Sequence, residues 1–327
     1  MILSTLDKSR KGGAYEQIPS LVLGQRWTPQ LNSRNMMKVV LCVWIEPYIE
    51  NDLSFCVWPV HTPTTSKEVL TLSASTSPLP YTGNKSCIVN TILSVMPKHT
   101  VYIDPCMGSA EVFFRKPRAE KEILNDYNGD LVNLFRVIQN NEKLAYLLGR
   151  LYLSINGELA FKQNKDRLKG VPNILDDVIE TSQIFYDASW EDIQNAAAFL
   201  ENQVYSFSST GQTFGIARRD MSQRLPRLMS AYNRIRDAII LHRDYKDVIT
   251  YAACPGSFIL LDPPYKVTED MYSKANFDIE QHDILFSFMS EVNQQHHGEV
   301  KFLITYNNDP YIRGLAEKHG FDTFVQT

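Results

Sequence analysis

An α/β protein is predicted, with a parallel, Rossmann-like sheet interrupted by a mainly helical insert. Three observations carry the prediction. Short aliphatic runs, at Val101-Tyr102-Ile103, Ile123-Leu124, Phe258-Ile259-Leu260-Leu261 and residues 300–305, alternate with stretches of helical apolar spacing. The first two runs end close to acids, Asp104 and Asp126, with a glycine-containing loop between them. From residue 141 to 243 helical spacings dominate and strand-like runs vanish.

Residues 1–77 carry the weakest pattern. Trp27, Trp44, Trp58 and the run Val39-Val40-Leu41-Cys42-Val43 are apolar enough to form some structure, but the periodicity is poor. The stretch ends in Ser/Thr-rich sequence and reads as an extension or linker. After Pro78 a turn at Tyr81-Thr82-Gly83-Asn84-Lys85 leads into a helical pattern through Ile88, Ile92 and Val95. A strand ends at Asp104-Pro105, and the loop Cys106-Met107-Gly108-Ser109-Ala110 opens a helical turn at about Glu111. The next strand ends at Asn125-Asp126, and a helix through Leu131, Leu134, Phe135 and Ile138 follows. Strand, glycine loop, helix and acid-tipped strand together make a βαβ nucleotide-binding unit. Within the insert, residues 206–215 read as a loop carrying polar side chains. Strands are expected to resume at Val248-Ile249-Thr250-Tyr251, then at Phe258 to Leu261 and 300–305, with helices over 281–292 and 312–318 between or after them. Phe321-Asp322-Thr323-Phe324-Val325 reads as one more strand. The expected domains are an extension over 1–77, a sheet domain over 78–140 and 244–327, and the insert over 141–243.

Composition narrows the function classes. The chain of 327 residues is 44% hydrophobic and 21% charged, as in ordinary soluble proteins. No apolar run approaches the ~20 residues of a membrane span, and a secretory leader pattern is absent, so a cytoplasmic location is expected. Five scattered cysteines without a Cys-x-x-Cys pair argue against structural zinc and against a disulfide framework. His296-His297 lacks helical metal-ligand spacing, and no metal is expected. The net charge of −4 gives no global sign of a polyanionic partner. Locally, Arg218, Arg219, Arg224, Arg227, Arg234 and Arg236 are opposed only by Asp220, which suggests a phosphate-facing surface or a solvated helix face.

The chemistry concentrates at Asp262-Pro263-Pro264-Tyr265, directly after an apolar strand that the two prolines terminate. A carboxylate and a turned-out carbonyl are both acceptors, suited to an exocyclic amine, and Tyr265 offers a face for a planar ring. Gly108 allows close backbone approach to a nucleoside, and Asp126 is placed to accept from ribose hydroxyls. The loop has Gly-x-Ala rather than a full dinucleotide fingerprint, and Glu111 near the helix start would repel a pyrophosphate. A nucleoside with a positive centre, such as S-adenosylmethionine, is favoured over a dinucleotide.

Tyr81-Thr82-Gly83-Asn84-Lys85, Asp104-Pro105-Cys106-Met107-Gly108, Asn125-Asp126 and Asp262-Pro263-Pro264-Tyr265 stand in order, and together they resemble Dam-like DNA adenine N6-methyltransferases. The likeness covers Pro78 to the C-terminus. It implies that Tyr81, Lys85, Asp104, Gly108, Asp126 and Asp262 line the site of the methyl donor, S-adenosylmethionine. It further implies that Asp262 and the Pro263 carbonyl hold the adenine amino group, with Pro264 and Tyr265 completing the motif. The insert would read DNA, with Arg218, Arg219, Arg224 and Arg227 on its phosphates. Implied partners are double-stranded DNA and, for a restriction-modification member of bacterial or phage origin, a cognate endonuclease; a monomer is expected. Cys106 and Ala110 stand where the family has an aromatic residue and a second glycine. The family's last antiparallel hairpin is expected to be missing, leaving an uncovered sheet edge. The alternatives are a methyltransferase acting on cytosine N4, an RNA base or a protein glutamine, and a truncated, inactive DNA-binding remnant.

Overall fold

The computed structural model describes residues 38–43, 76–171, 190–216, 219–264 and 279–326. Its strands are β1 (Lys38–Val43), β2 (Val101–Asp104), β3 (Lys121–Asn125), β4 (Ile239–Leu241), β5 (Ser257–Leu261), β6 (Lys301–Asn307) and β7 (Asp322–Gln326). They form one seven-stranded sheet in the order β4-β3-β2-β5-β6-β1-β7, and every pairing among them is parallel. The helices are α1 (Val89–Val95), α2 (Glu111–Arg115), α3 (Gly129–Gln139), α4 (Asn141–Tyr152), α5 (Glu158–Lys169), α6 (Trp190–Tyr205), α7 (Leu225–Ile235), α8 (Tyr245–Ala252), α9 (Ile279–Gln295) and α10 (Pro310–Lys318).

The central strands are apolar through their middle residues because both faces of the sheet are covered. On one face Tyr102, Leu124, Phe258, Leu260 and Leu303 pack with side chains of α1 to α4, α6 and α7. On the other, Ile103, Ile123, Ile259, Leu261, Phe302 and Ile304 pack with α8, α9 and α10. Successive residues of each strand enter opposite clusters, as the period of two requires. Helices α4, α6 and α7 thus share a core with the sheet.

Several elements start on a side-chain cap. The side chain of Asn128 accepts from the Asp130 N–H at the start of α3, and that of Asp309 accepts from the Tyr311 N–H at α10, where Pro310 occupies a tolerated first-turn position.

Three expectations are corrected. The run Val248-Ile249-Thr250-Tyr251 lies in α8 rather than a strand: the Asp244 side chain caps Lys246 N, and Val248, Ile249 and Ala252 bury one helical face. Ile239–Leu241, inside the stretch assigned to the insert, pairs with β3, so the sheet resumes before residue 244. Finally, the extension over 1–77 contributes β1, whose backbone runs parallel between β6 (Lys38 opposite Phe302) and β7 (Val39 opposite Asp322). On this side of the sheet β1 separates β6 from β7, and β7 is the edge strand.

Candidate active site

The strand order reverses direction between β2 and β5: β3 and β4 follow on one side, β6 on the other. The carboxyl ends of two strands that part this way leave a crevice, where open α/β sheets bind ligands. Asp104 ends β2 and Asp262 follows β5, so the two acids meet at that crevice. A cavity of about 850 Å³ opens there, and Tyr81, Lys85, Asp104, Gly108, Asp126, Asp262, Pro263 and Pro264 all line it.

Gly108 sits at φ +48°, in the left-handed region, and its N–H donates to Asp126 Oδ2 at 2.9 Å. A side chain there would grow toward the Tyr81 ring, 3.8 Å from an added Cβ. Asp126 also accepts from the Asn128 N–H through Oδ1 at 2.9 Å. Burial lifts its carboxyl to about 6, against the backbone donors Asn128, Gly108 and Tyr127 and with Asp262 adding to the rise. Asp104 is pushed by burial to about 7; the Tyr102 hydroxyl, donating to Oδ2 at 2.9 Å, opposes the shift, while Asp262 and Asp126 reinforce it. Burial, then the nearby Asp126, raises the Tyr81 phenol, which stays a neutral donor. Cys106 is likewise held as a neutral thiol, by burial and then by Asp126.

Asp262 is gripped from two sides. Lys85 Nζ forms an ion pair with Oδ2, and the Thr305 hydroxyl, from β6, donates to Oδ1 at 2.6 Å. Lys85 Nζ also donates to the Gly83 carbonyl at 2.7 Å, which ties the turn over 81–85 to the tip of β5. A carboxylate has about four lone-pair positions, so these two partners leave acceptor capacity for a ligand.

Other residues escaped the sequence reading. Asn125 staples three loops: its amide donates to Pro105 O and Arg243 O, both at 2.9 Å, and its oxygen accepts from the Arg243 N–H at 2.9 Å. Asp244 and Tyr245 also line the cavity. Their signal was the acid after a short apolar run, hidden because Ile239–Leu241 was not read as a strand. Thr305 could have been found only from strand order, since it lies forty-three residues from Asp262 in sequence. Glu111 is held by two donors: Arg115 Nε donates to it at 2.7 Å and the Ser77 N–H at 3.1 Å.

Above the cavity, residues 206–215 fold into a tight loop, with Ser206 and Phe214 bridged and the Gly215 N–H donating to Tyr205 O at 2.8 Å. An added Cβ at Gly215 would meet three backbone atoms at 3.2 Å, so only glycine fits without displacement. Thr82 Oγ1 donates to Ser209 O at 3.2 Å, joining this loop to the turn over 81–85. Arg219, Arg224 and Arg227 lie outside the cavity and close enough to one another that the other two help depress Arg224, after burial. Tyr265 and Arg218 fall outside the described residues. Among the described residues there is no cluster fit to hold a metal ion, and no helix is long and apolar enough to cross a membrane.

Comparison with known proteins gives a consistent family. The model of the D12 class N6 adenine-specific DNA methyltransferases matches residues 81–324. A DNA N-6-adenine-methyltransferase of Escherichia phage P1 is 25% identical over 258 residues, covering 74% of this chain and 31% of that protein. Modification methylase StsI of Streptococcus sanguinis is 25% identical, over 70% of this chain and 35% of the relative. Type II methyltransferase M.CviBI of Paramecium bursaria Chlorella virus NC1A is 22% identical, over 70% and 79%. The chain thus spans about a third of the length of the first two relatives.

Proposed function

We propose that this chain, which belongs to the D12 class of N6 adenine-specific DNA methyltransferases, methylates the 6-amino group of adenine in double-stranded DNA with S-adenosylmethionine as donor. The observation that carries the reading is the meeting of Asp262, at the tip of β5, with Asp104, Gly108 and Asp126 in one cavity. The residues present suit the donor. Buried carboxyls at Asp104 and Asp126 favour a cation and disfavour a pyrophosphate, and the bare Gly108 backbone leaves room for a nucleoside. When bound, the donor supplies an electrophilic methyl group on a sulfonium.

The chain's own residues do the rest by orientation. Asp126 would accept from ribose hydroxyls with the acceptor capacity that the Gly108, Asn128 and Tyr127 N–H groups leave open. Asp244, which lines the same cavity, would be an acceptor for an amino group of the donor. Asp262 takes one proton of the target amino group in a hydrogen bond and the Pro263 carbonyl takes the other. An adenine amine is a poor nucleophile because its lone pair is delocalised into the ring; two fixed acceptors favour a pyramidal nitrogen whose lone pair faces the methyl group. Lys85 and Thr305 hold the Asp262 carboxylate in place while this happens. The target amine lies inside the duplex stack, so the base has to be extruded, with Tyr265 as its stacking surface. Arg219, Arg224 and Arg227, together with Arg218, serve phosphates on the insert side. Relatives named modification methylase support a restriction endonuclease as a further partner.

The test is Asp262→Ala with labelled donor and unmethylated DNA. Methyl transfer should fall by about 10² or more while donor binding persists. Transfer within a few-fold of the unsubstituted protein would overturn the role of Asp262.

A further inference from the structure

We propose that the turn joining α4 to α5 is a DNA wedge, in which Leu153 and Ile155 press into the duplex beside the base that leaves the stack. The inference rests on duplex DNA being the substrate, as proposed above.

Four large apolar side chains stand exposed around this turn: Tyr152 at 71%, Leu153 at 75%, Ile155 at 73% and Leu159 at 71%. Grouped exposure of this kind marks a surface that meets a partner. The turn is also well anchored. The Ser154 N–H donates to Leu151 O at 3.0 Å, the Ser154 and Tyr205 hydroxyls are 2.9 Å apart, and Asn156 Nδ2 donates to Arg219 O at 3.3 Å.

Those anchors lead to the mouth of the cavity. Arg219 Nη1 donates to Val204 O at 2.6 Å and to Ser209 Oγ at 3.4 Å, and Ser209 accepts from Thr82; both Ser209 and Thr82 line the cavity. The apolar tip is therefore one arginine away from the loop over the active site. That arginine belongs to the cluster with Arg224 and Arg227, whose charges lie within reach of one another. Asp220, the acid within this stretch, accepts from the Ser222 N–H at 2.9 Å.

An apolar tip bonded to the backbone of an arginine that belongs to a cationic cluster selects its occupant. Duplex DNA offers phosphates to the arginines and base-pair faces to Leu153 and Ile155, and extruding a base opens a gap that aliphatic side chains can fill. A protein partner would have to bring acids and an apolar groove together.

The experiment measures binding of the full chain to unmethylated duplex DNA fragments across a salt series. The L153S/I155S double variant is compared with Arg219→Gln and with the unsubstituted protein, and donor binding and sedimentation are followed in each. Apolar contacts release no counterions. The double variant should therefore lose about 10-fold in DNA affinity with an unchanged salt slope, whereas Arg219→Gln should lower the slope by about one. Donor affinity and sedimentation should not move. Unchanged DNA affinity, or an affinity loss with a changed slope, would overturn the wedge. So would loss of donor binding in the double variant, which would mean damage to the fold. A smaller assembly in sedimentation would mean that the tip joins copies of the chain, and faster proteolysis of the variant that it seats another segment of the chain; either result overturns it. Labelled methyl transfer by the unsubstituted protein is run alongside. DNA binding without label in adenine would sink the proposed function while leaving the wedge to its own salt series.

Discussion

Asp262 is a single carboxylate with two standing partners, and its usefulness depends on both. Lys85 supplies the charge that an acid in a crowded acidic site needs, and Thr305 fixes which oxygen faces the ligand. Replacing Thr305 by valine keeps the shape and removes one hydrogen bond to a charged group, a loss of about 1.5–3 kcal/mol. Turnover should fall about 10-fold or more with donor affinity unchanged, as single-turnover kinetics and calorimetry can separate. Asp104 and Asp126 titrate where a cationic ligand can feel them, at about 7 and about 6. Both are raised in the folded chain, so in the free protein their contribution to stability is fully present below about pH 4 and is lost as the pH rises through 6 and then 7. A cation favours their ionised forms, so donor affinity should climb from about pH 5 to a plateau near pH 8. Asp104→Asn should flatten the upper part of that rise; a profile already flat in the unsubstituted protein would contradict it.

Elements were legible where local sequence carries the whole signal. The strands ending at Asp104, Asn125 and Leu261 are buried on both faces, so each carries adjacent apolar residues, Ile123-Leu124 in the shortest run, and the residues at their tips line one cavity. The failures have local causes. Ile239–Leu241 has three residues, too few for a pattern, and missing it concealed Asp244 and Tyr245. The β-branched Val248 and Ile249 favour a strand, but the Asp244 cap and a buried helical face outweigh that preference. Residues 38–43 pair with strands more than 250 positions away, and no local periodicity reports such a partner. Because β1 is flanked on both sides, proline at Leu41 would break a central ladder. Leu41→Pro should cost on the order of 3 kcal/mol and lower the thermal midpoint by several degrees. An unchanged midpoint would remove β1 from the folded sheet.

For the molecule as a whole, the parallel sheet places the acids of three loops at one end, and Asn125 bonds those loops together. Helices α4, α6 and α7 share a core with the sheet, so the proposed DNA contact and methyl transfer would rest on one packed body. The loop over 206–215 hangs from α6 and reaches Thr82, which ties that loop to the turn over 81–85 beside the cavity. In that arrangement the proposed target atom is the adenine amine, and it can be identified by chemistry alone. Unmethylated DNA incubated with the chain and S-adenosylmethionine is digested to nucleosides and resolved by mass spectrometry. N6-methyldeoxyadenosine should be the modified nucleoside formed, and it should vanish with Asp262→Ala; N4-methyldeoxycytidine in its place, or no modified nucleoside from a chain that binds the donor, would contradict the assignment.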